Sequence, residues 1–410
     1  MRLKKSILIL IFISIIPLLN GFNSSISRLF EFSLYNSSFN NAQIQIFDFL
    51  FTLGFAVGSL LGGIGIDLWN PKKILIYSVL AIVIPSGIVQ FIDNNALIIG
   101  QRFILGTFLG LLLILLQVYL FETAPANHKG KFLVLFFLAG GIGGSLFYAF
   151  QSFFIIDNKL SSFYYARSIL PFIVFPLLIF IVIRQIPNKL YTGNLRYADL
   201  KSVFLMHKRY ILIVFILLST IVVFGNASMY FFVTSHLIID NNLESVWAIN
   251  SISTTLGAIV GIFLIDSVGR KRLFLFGCKA LIFISFVNSI IFLFINNFYV
   301  IVGLVNLYSF LFSITISVSI LIIVFEYLPS GYRGRGLIIY SIICWIPQTL
   351  NKLYLHIHDI KSPYTLSISS FVVFGIVLAG YFIIRKYLID TRGLTLDEIE
   401  LRIFEKDKAI

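Results

Sequence analysis

Charged residues are scarce in this chain. They make up 12% of its 410 residues, whereas a soluble globular domain carries about 25%. Hydrophobic residues account for 59%, and the mean hydropathy is +0.97. Apolar runs long enough for a membrane-spanning helix, ~20 residues, recur from end to end. These proportions exclude a soluble enzyme, a nucleic-acid-binding protein and a disordered protein, and they predict a polytopic membrane protein.

Cysteine is almost absent as well. The two cysteines, Cys278 and Cys344, both lie inside apolar segments, so they support neither a disulfide framework nor a metal site. The sequence contains no nucleophile–base arrangement and no cluster of metal ligands. His356 and His358 are close together, but we interpret them as solvated loop residues. We therefore expect no enzymatic activity, no metal and no cofactor.

The apolar runs predict twelve membrane-spanning helices. The predicted spans are 6–27, 46–68, 74–92, 96–121, 131–152, 164–186, 210–236, 246–265, 273–295, 298–325, 336–356 and 365–388. The first run resembles a signal peptide but lacks a convincing cleavage site, so we interpret it as an uncleaved first helix. The sequence thus predicts an all-α integral membrane protein.

The longest polar segment between spans falls at the midpoint of the chain and suggests two bundles of six helices. The predicted organisation is a first bundle at 1–187, a linker at 188–208, a second bundle at 209–389 and a tail at 390–410. Although the net charge is +13, Lys and Arg occur in short groups between the spans. Nearly all of them fall on the side of the N-terminus, so both termini and the linker are predicted to be cytoplasmic. We expect the plasma membrane.

Acidic residues recur at matching places in the two halves. Asp67 and Asp266 lie at the ends of the second and eighth spans and are 199 positions apart. Glu122 and Glu326 follow the fourth and tenth spans and are 204 positions apart. An Asp at a helix end, followed by a tight turn and basic residues, can cap a helix and pair with an Arg. Gly269 provides a permissive backbone for that turn. The pattern predicts two related six-helix halves, as in transporters with parallel repeats.

Longer motifs resemble the sugar porter family of the major facilitator superfamily. Residues 100–110 read GQRFILGTFLG, close to the family's G-R-x-x-x-G-x-x-x-G, and 119–130 read YLFETAPANHKG, close to Y-x-x-E-x-x-P-x-x-x-R-G. Residues 226–231 read NASMYF where the family has N-A-x-x-Y-Y, and 326–334 read EYLPSGYRG, a second copy of E-x-x-P-x-x-x-R-G. The tail 390–400 reads DTRGLTLDEIE and resembles P-E-T-K-G-x-x-L-E-E-I-E. The resemblance implies the twelve-helix major facilitator fold.

The resemblance also implies a central sugar site lined by both halves. At the matching positions this chain has Gln117, Phe137, Thr220, Asn226, Thr254, Trp345 and Gln348. Side-chain amides suit hexoses because each amide can donate and accept hydrogen bonds toward vicinal hydroxyls, and an aromatic ring can stack on the apolar face of the sugar. Several of the family's amides are replaced here, and each lost amide costs about 1–3 kcal/mol where it faced a buried hydroxyl.

Other roles stay open for these side chains. Asn226 and Gln348 could instead form hydrogen bonds between helices, and Trp345 could pack or face lipid. Gln117 stands where the family has Pro and could face the cavity or a neighbouring helix.

A network of charges is the second implied site. By resemblance, it holds the two bundles together on the cytoplasmic side and opens during transport. Its predicted members are Asp67, Arg102, Glu122, Lys129, Asp266, Arg270, Glu326 and Arg333. Arg102 is expected to bond to Asn23 or nearby carbonyl groups, or to lie in an outer vestibule, because an arginine within a span is costly unless it is paired or functional.

The residue at position 23, an Asn, determines whether we expect solute transport to be coupled to proton movement. Proton-coupled relatives have an Asp at this position, and an Asn cannot bind and release a proton. The sequence therefore favours facilitated diffusion of a hexose or similar small polyol over proton symport. The alternatives are a transporter of another small polar solute and a non-transporting nutrient sensor, which the short tail disfavours. The expected partners are the small-molecule substrate and membrane lipid, without nucleic acid, and we expect a monomer.

Overall fold

The computed structural model describes about three-fifths of the chain, in several blocks. These are residues 14, 17–18, 41–91, 95–123, 129–154, 213–222, 243–295, 297–328, 337–338, 341, 349, 363–394 and 396–408. The predicted linker lies outside the described residues, as do all or most of the predicted spans 6–27, 164–186, 210–236 and 336–356. Within the part that is described, all regular secondary structure is helical.

The described residues fall into two compact units. The first takes those of Met1–Thr192 and Gly334–Leu353, and the second takes those of Gly193–Arg333 and Tyr354–Ile410.

Four helices make up most of the described first unit. They are α1 (Asn41–Leu68), α2 (Pro71–Phe91), α3 (Asn95–Thr123) and α4 (Lys129–Phe154). Nearly every side chain in the second half of α3 is buried, because α3 packs against α1, α2 and α4. It therefore forms the centre of this unit. The four helices match the predicted spans 46–68, 74–92, 96–121 and 131–152 to within a few residues.

Glycines bring α1 and α3 into backbone contact. A Cβ built on Gly58 overlaps the backbone carbonyl of Thr107, and a Cβ built on Gly110 overlaps the backbone carbonyl of Phe55. Gly54 and Gly106 are equally close to the opposite backbone. Glycines four residues apart share one helix face, and this spacing lets two membrane helices approach closely. The α1–α3 contact is thus a glycine seam, with no room for a side chain at these positions.

The described second unit contains seven helices and one π-helical turn. The helices are α5 (213–222), α6 (Leu243–Val268), α7 (Arg270–Phe294), α8 (Phe298–Phe312), α9 (Val318–Tyr327), α10 (Pro363–Tyr387) and α11 (Leu396–Lys408). The α7 helix packs along α10, and α6 packs along α8. Predicted spans 246–265, 273–295 and 365–388 therefore correspond to α6, α7 and α10.

A π-helical turn, Ser313–Ser317, connects α8 to α9. Hydroxyl groups donate to the backbone around it: Ser313 Oγ to the Thr254 carbonyl at 2.6 Å, Thr315 Oγ1 to the Leu311 carbonyl at 2.6 Å and Ser319 Oγ to the Thr315 carbonyl at 2.5 Å. The first of these bonds joins the turn to α6, and the other two supply donors where the regular i to i−4 ladder changes. The apolar run 298–325 predicted one span and carried no sign of this turn.

The tail contains a helix that the sequence analysis did not predict. The α11 helix buries Ile399 and Ile403, which lie one turn apart, and it contacts α9. Because many residues of α11 are charged, an analysis based on hydropathy does not detect this narrow apolar stripe.

The described helices include five that are long and apolar enough to cross a membrane. These are Ile99–Phe121, Ala248–Val268, Arg270–Phe294, Tyr299–Tyr327 and Ser367–Tyr387. Large apolar side chains such as Phe263 and Phe283, 72% and 71% exposed, lie on their outer surfaces. Such surfaces are suited to lipid rather than to water, in agreement with an integral membrane protein.

Candidate functional site

Charged side chains meet where α6 ends and α7 begins. The Arg270 guanidinium lies between two carboxylates: its Nη2 is 3.7 Å from Asp266 Oδ1 and its Nε is 3.3 Å from Glu326 Oε1. Thr391, from the segment after α10, donates its hydroxyl to the other oxygen, Glu326 Oε2, at 2.6 Å. We call these four residues the Arg270 cluster. It ties the ends of α6, α7 and α9 to the tail.

The turn before Arg270 depends on glycine. Gly269 has φ +93°, in the region that side chains with a Cβ disfavour. Its carbonyl accepts a hydrogen bond from the Leu273 N–H at 3.0 Å. In the first half, the carbonyl of Asn70 accepts the equivalent bond from the Ile74 N–H, also at 3.0 Å. The same helix start thus follows Asp67 and Asp266 in the two halves.

Partial burial makes the Arg270 cluster stronger than a typical surface ion pair. The side chains of Arg270 and Glu326 are 14% and 10% exposed, so water screens their attraction less than at an open surface. The Arg270 Nε hydrogen is not directed at a carboxylate oxygen, and the 3.3 Å contact is therefore an ion pair rather than a hydrogen bond. The Ile389 N–H also donates to the Tyr327 hydroxyl, at 2.6 Å, which fixes the tail beside the cluster.

The structure thus brings together three of the predicted network residues, Asp266, Arg270 and Glu326. Thr391 was not among the predicted residues, although it lies in the tail motif 390–400. The backbone places three further members at helix ends but leaves their side chains outside the described part: Asp67 in α1, Glu122 in α3 and Lys129 in α4. Arg333 lies outside the described residues, and the roles of these four remain predictions.

Arg102 is fully buried in the first unit, with 0% of the residue exposed. Its Cζ lies 5.5 Å from the centre of the Phe51 ring, a cation–π contact between α3 and α1. Which of the environments considered from the sequence Arg102 occupies during transport remains a prediction. Asn23, its other expected partner, lies outside the described residues.

Two predicted lining residues lie in the first unit. Gln117 is 4% exposed on the densely packed half of α3. Phe137 is half-buried on α4, and its ring meets that of Phe136 edge to face, with centres 5.6 Å apart. The contact of both side chains with a solute remains a prediction.

Two more lining residues lie in the second unit, and both hydroxyls donate to their own helix. Thr220 Oγ1 donates to the Ile216 carbonyl at 2.7 Å, and Thr254 Oγ1 lies 3.0 Å from the carbonyls of both Asn250 and Ser251. A hydroxyl used in this way can still accept a hydrogen bond from a solute. The predicted residues Asn226, Trp345 and Gln348 lie outside the described part.

Buried amides within the second unit were missed by the sequence analysis. Asn250 Nδ2 donates to Ser309 Oγ at 2.7 Å and links α6 to α8. Asn288, on α7, is 0% exposed, and neither atom of its amide has a hydrogen-bond partner among the described residues. An Asn within an apolar span is costly enough to be noticed from sequence, so both positions could have been selected as candidates.

Comparison with known families now identifies the fold. The family model described as Major Facilitator Superfamily matches residues 8–351. The chain belongs to the Major Facilitator Superfamily. No curated protein sequence matches it closely enough to count as a relative.

Solved structures show the same major facilitator fold. The chain resembles a structure of the proton:xylose symporter XylE bound to 6-bromo-6-deoxy-D-glucose, with a TM-score of 0.79 and 16% identity over 98% of this chain and 100% of that one. The inward-open xylose transporter XylE from E. coli matches with a TM-score of 0.67 and 18% identity over 97% and 99% of the two chains. The predicted fold class, an all-α integral membrane protein of the major facilitator fold, is confirmed.

Proposed function

We propose that the protein is a facilitative transporter of a hexose or similar small polyol that works by alternating access. Membership of the Major Facilitator Superfamily over residues 8–351 is the observation that carries this proposal. The fold similarity to a xylose symporter, which extends over 98% of the chain, supports it. In this proposal the bundles 1–187 and 209–389 alternately open a central site to the two sides of the membrane.

The proposed solute class depends on the lining residues. Asn226, Gln348 and Trp345 provide two amides and an aromatic ring, the groups that suit sugar hydroxyls and the apolar sugar face. Thr220 and Thr254 add hydroxyl oxygens that can accept hydrogen bonds. Because several of the family's amides are replaced, a different small polar solute is the second candidate.

Removing a lining amide is expected to reduce uptake strongly. Asn226→Ala and Gln348→Ala should each lower solute affinity about 5- to 150-fold, because a buried hydrogen-bonding partner contributes about 1–3 kcal/mol. The measurement is radiolabelled uptake by purified protein in liposomes. Asn306→Ala is the matched control, since the Asn306 amide donates to the Val302 carbonyl of its own helix at 2.8 Å. Equal uptake by all three variants and the unmodified protein would remove these residues from the site.

The proposed mechanism is uniport. Two of the similar structures are of xylose–proton symporters, but this chain has Asn23 where proton-coupled relatives have an Asp. An amide cannot carry the proton whose binding and release would couple the two fluxes.

Flux is therefore expected to follow the solute gradient alone. Liposomes should be tested with labelled D-glucose, D-xylose and small polyols, with and without an inward proton gradient. Internal solute should reach the external concentration and stop there in both cases. Accumulation above the external concentration under the proton gradient would contradict uniport, and Asp48, in α1, would then be the first carboxylate to replace. If no member of the panel enters the liposomes, the solute class itself is wrong.

The remaining parts of the proposal follow from charge and composition. The excess of Lys and Arg on one side of the predicted spans supports cytoplasmic N- and C-termini, and the plasma membrane is the proposed location. The working unit is proposed to be a monomer with no cofactor and no enzymatic step.

A further inference from the structure

An exposed stripe runs along α7 on the surface that faces away from the protein. Arg272, Phe276, Lys279, Phe283 and Ile290 follow one another at intervals of three, four or seven residues, which places them on one helix face. Phe276 and Phe283 are 60% and 71% exposed, and Arg272 and Lys279 are exposed as well. The stripe therefore carries basic side chains near the Arg270 end of α7 and bulky apolar ones toward the other end.

Lys279 lies unusually far along this stripe for a charged residue. It is nine residues from the start of α7, about 14 Å along the helix axis. A charge at that depth on a lipid-facing surface is costly unless it reaches a polar partner. Its Nζ lies 5.9 Å from the centre of the Tyr381 ring of α10, and no carboxylate lies within 4 Å of it among the described side chains. The ring contact leaves its N–H donors available.

Other basic residues gather around the same end of α7. The last turn of α10 carries Arg385 and Lys386, both exposed. Lys406 of α11 donates to the Lys386 carbonyl at 3.4 Å, which brings the end of α11 to this point. Lys271 lies close enough to Lys406 and Arg385 for their charges to interact.

We call these side chains the basic cluster. Its members are Lys271, Arg272, Lys279, Arg385, Lys386 and Lys406. The carboxylate whose charge acts on Lys271 is Asp390, and an oxygen of Asp390 already accepts the Arg392 N–H at 3.3 Å. None of the six forms an ion pair with another side chain in the described part of the chain. Glu405 of α11 is exposed, so even with both carboxylates counted the cluster is strongly positive.

Apolar surface continues from the basic cluster along α10. Phe371 and Phe382 are 56% and 64% exposed, and they lie on the same side of α10 as Lys386. The α7 and α10 helices pack along their lengths, as the contact between the Phe286 and Phe374 rings, 5.3 Å apart, illustrates. The two exposed stripes thus flank one helix pair, with positive charge at one end and an apolar surface for the rest.

We propose that the basic cluster binds the phosphate headgroup of an anionic phospholipid, whose acyl chains lie along the exposed stripes of α7 and α10. A phosphate accepts several N–H donors at once, and clusters of Lys and Arg beside membrane helices attract anionic lipid. The apolar stripe selects a lipid over a soluble anion because only a lipid also covers that surface. The site depends on the membrane-spanning placement of α7 and α10 and is independent of the transported solute.

Lipid retention by the purified full-length protein tests this proposal. Native mass spectrometry in detergent would measure bound dioleoylphosphatidylglycerol against dioleoylphosphatidylcholine at equal concentrations. Phosphatidylglycerol should be retained selectively. Lys279→Gln with Arg385→Gln should weaken its retention about tenfold or more, because each basic residue near an anionic headgroup contributes roughly 1 kcal/mol. Lys279→Arg with Arg385→Lys conserves the charge and should retain the lipid.

A control pair in the first unit separates this site from overall charge. Lys73→Gln with Lys131→Gln removes the same number of charges and should leave retention unchanged. Equal retention of the two lipids, or equal loss in the control pair, would overturn the proposal. Competition by inorganic phosphate at millimolar concentration would also overturn it, because the cluster would then be a site for a soluble anion. Thermal melting of each variant identifies any that fail to fold, and the charge-conserving pair keeps the test decisive.

Discussion

Gly58→Ala is expected to prevent the protein from forming a stable fold. The added methyl group would overlap the carbonyl of Thr107, a backbone group of the facing helix that cannot move aside as a flexible side chain can. Either α1 and α3 separate or one of them bends, and the contact along the whole glycine seam is weakened. Overpacking that forces the backbone to shift typically costs about 1–3 kcal/mol and occasionally more, against a total stability of about 5–15 kcal/mol for a folded domain. The expected result is loss of the monodisperse peak in size-exclusion chromatography.

The controls are glycines in open positions. A Cβ built on Gly100 or Gly303 meets nothing within 4 Å, so Gly100→Ala and Gly303→Ala should purify normally and melt within a few degrees of the unmodified protein. Because helices generally prefer alanine to glycine, both control substitutions share this effect on stability with Gly58→Ala. If Gly58→Ala purifies and melts as they do, the close approach of α1 and α3 is not part of the native fold.

Breaking the Arg270 cluster is expected to slow transport about tenfold or more. In Glu326→Gln the amide cannot neutralise Arg270, which among the described side chains keeps the longer contact to Asp266 at 3.7 Å. The substitution also weakens the hydrogen bond from Thr391 to the Glu326 carboxylate, and a hydrogen bond to a charged group contributes about 1.5–3 kcal/mol. If the cluster supports the proposed outward-facing state, that state loses this stabilisation and the population shifts toward the inward-facing one. An interaction that is equal in both states shifts nothing.

Accessibility of a single cysteine measures the shift. The background would carry Cys278→Ser and Cys344→Ser, with one new cysteine in the proposed inner vestibule, and Glu326→Gln should label faster than the unmodified background. Thr391→Val is the graded control, because it removes the 2.6 Å hydrogen bond to Glu326 but keeps the ion pair, and it should have a smaller effect. Equal labelling and uptake rates in all three proteins would show that the cluster only holds the tail in place.

Much of the described fold could be predicted from the sequence. The reason is that insertion of a helix into a membrane depends on the free energy of transferring its own side chains from water to lipid. An apolar run of about 20 residues crosses the bilayer whatever its neighbours are, and the predicted 131–152 and 273–295 match α4 and α7 closely. The turn at Gly269 was also accessible, since only a few residue types suit such a turn between a carboxylate and a basic group.

The features that were missed depend on partners rather than on local composition. The contact of Thr391 with Glu326 joins residues 65 positions apart, and hydropathy carries no information about that distance. The α11 helix was missed because two isoleucines stabilise it only where α9 provides a surface. The sequence also does not show which acceptor a hydroxyl group binds. Thr254 donates to carbonyls of its own helix, as Thr does readily in apolar surroundings.

The π-helical turn has a consequence for the angular position of everything that follows it. Each residue of an α-helix advances about 100° around the axis, and a π-helical turn accommodates one residue more than a regular turn does. The end of α8 packs on α6 through Ser309, while the end of α9 must present Glu326 to Arg270. Without the extra residue of the turn, Glu326 would be rotated by about a quarter of a circle, away from the guanidinium. The π-helical turn therefore sets the rotation of α9 relative to α8 about the helix axis. This rotation allows one continuous span to make both contacts.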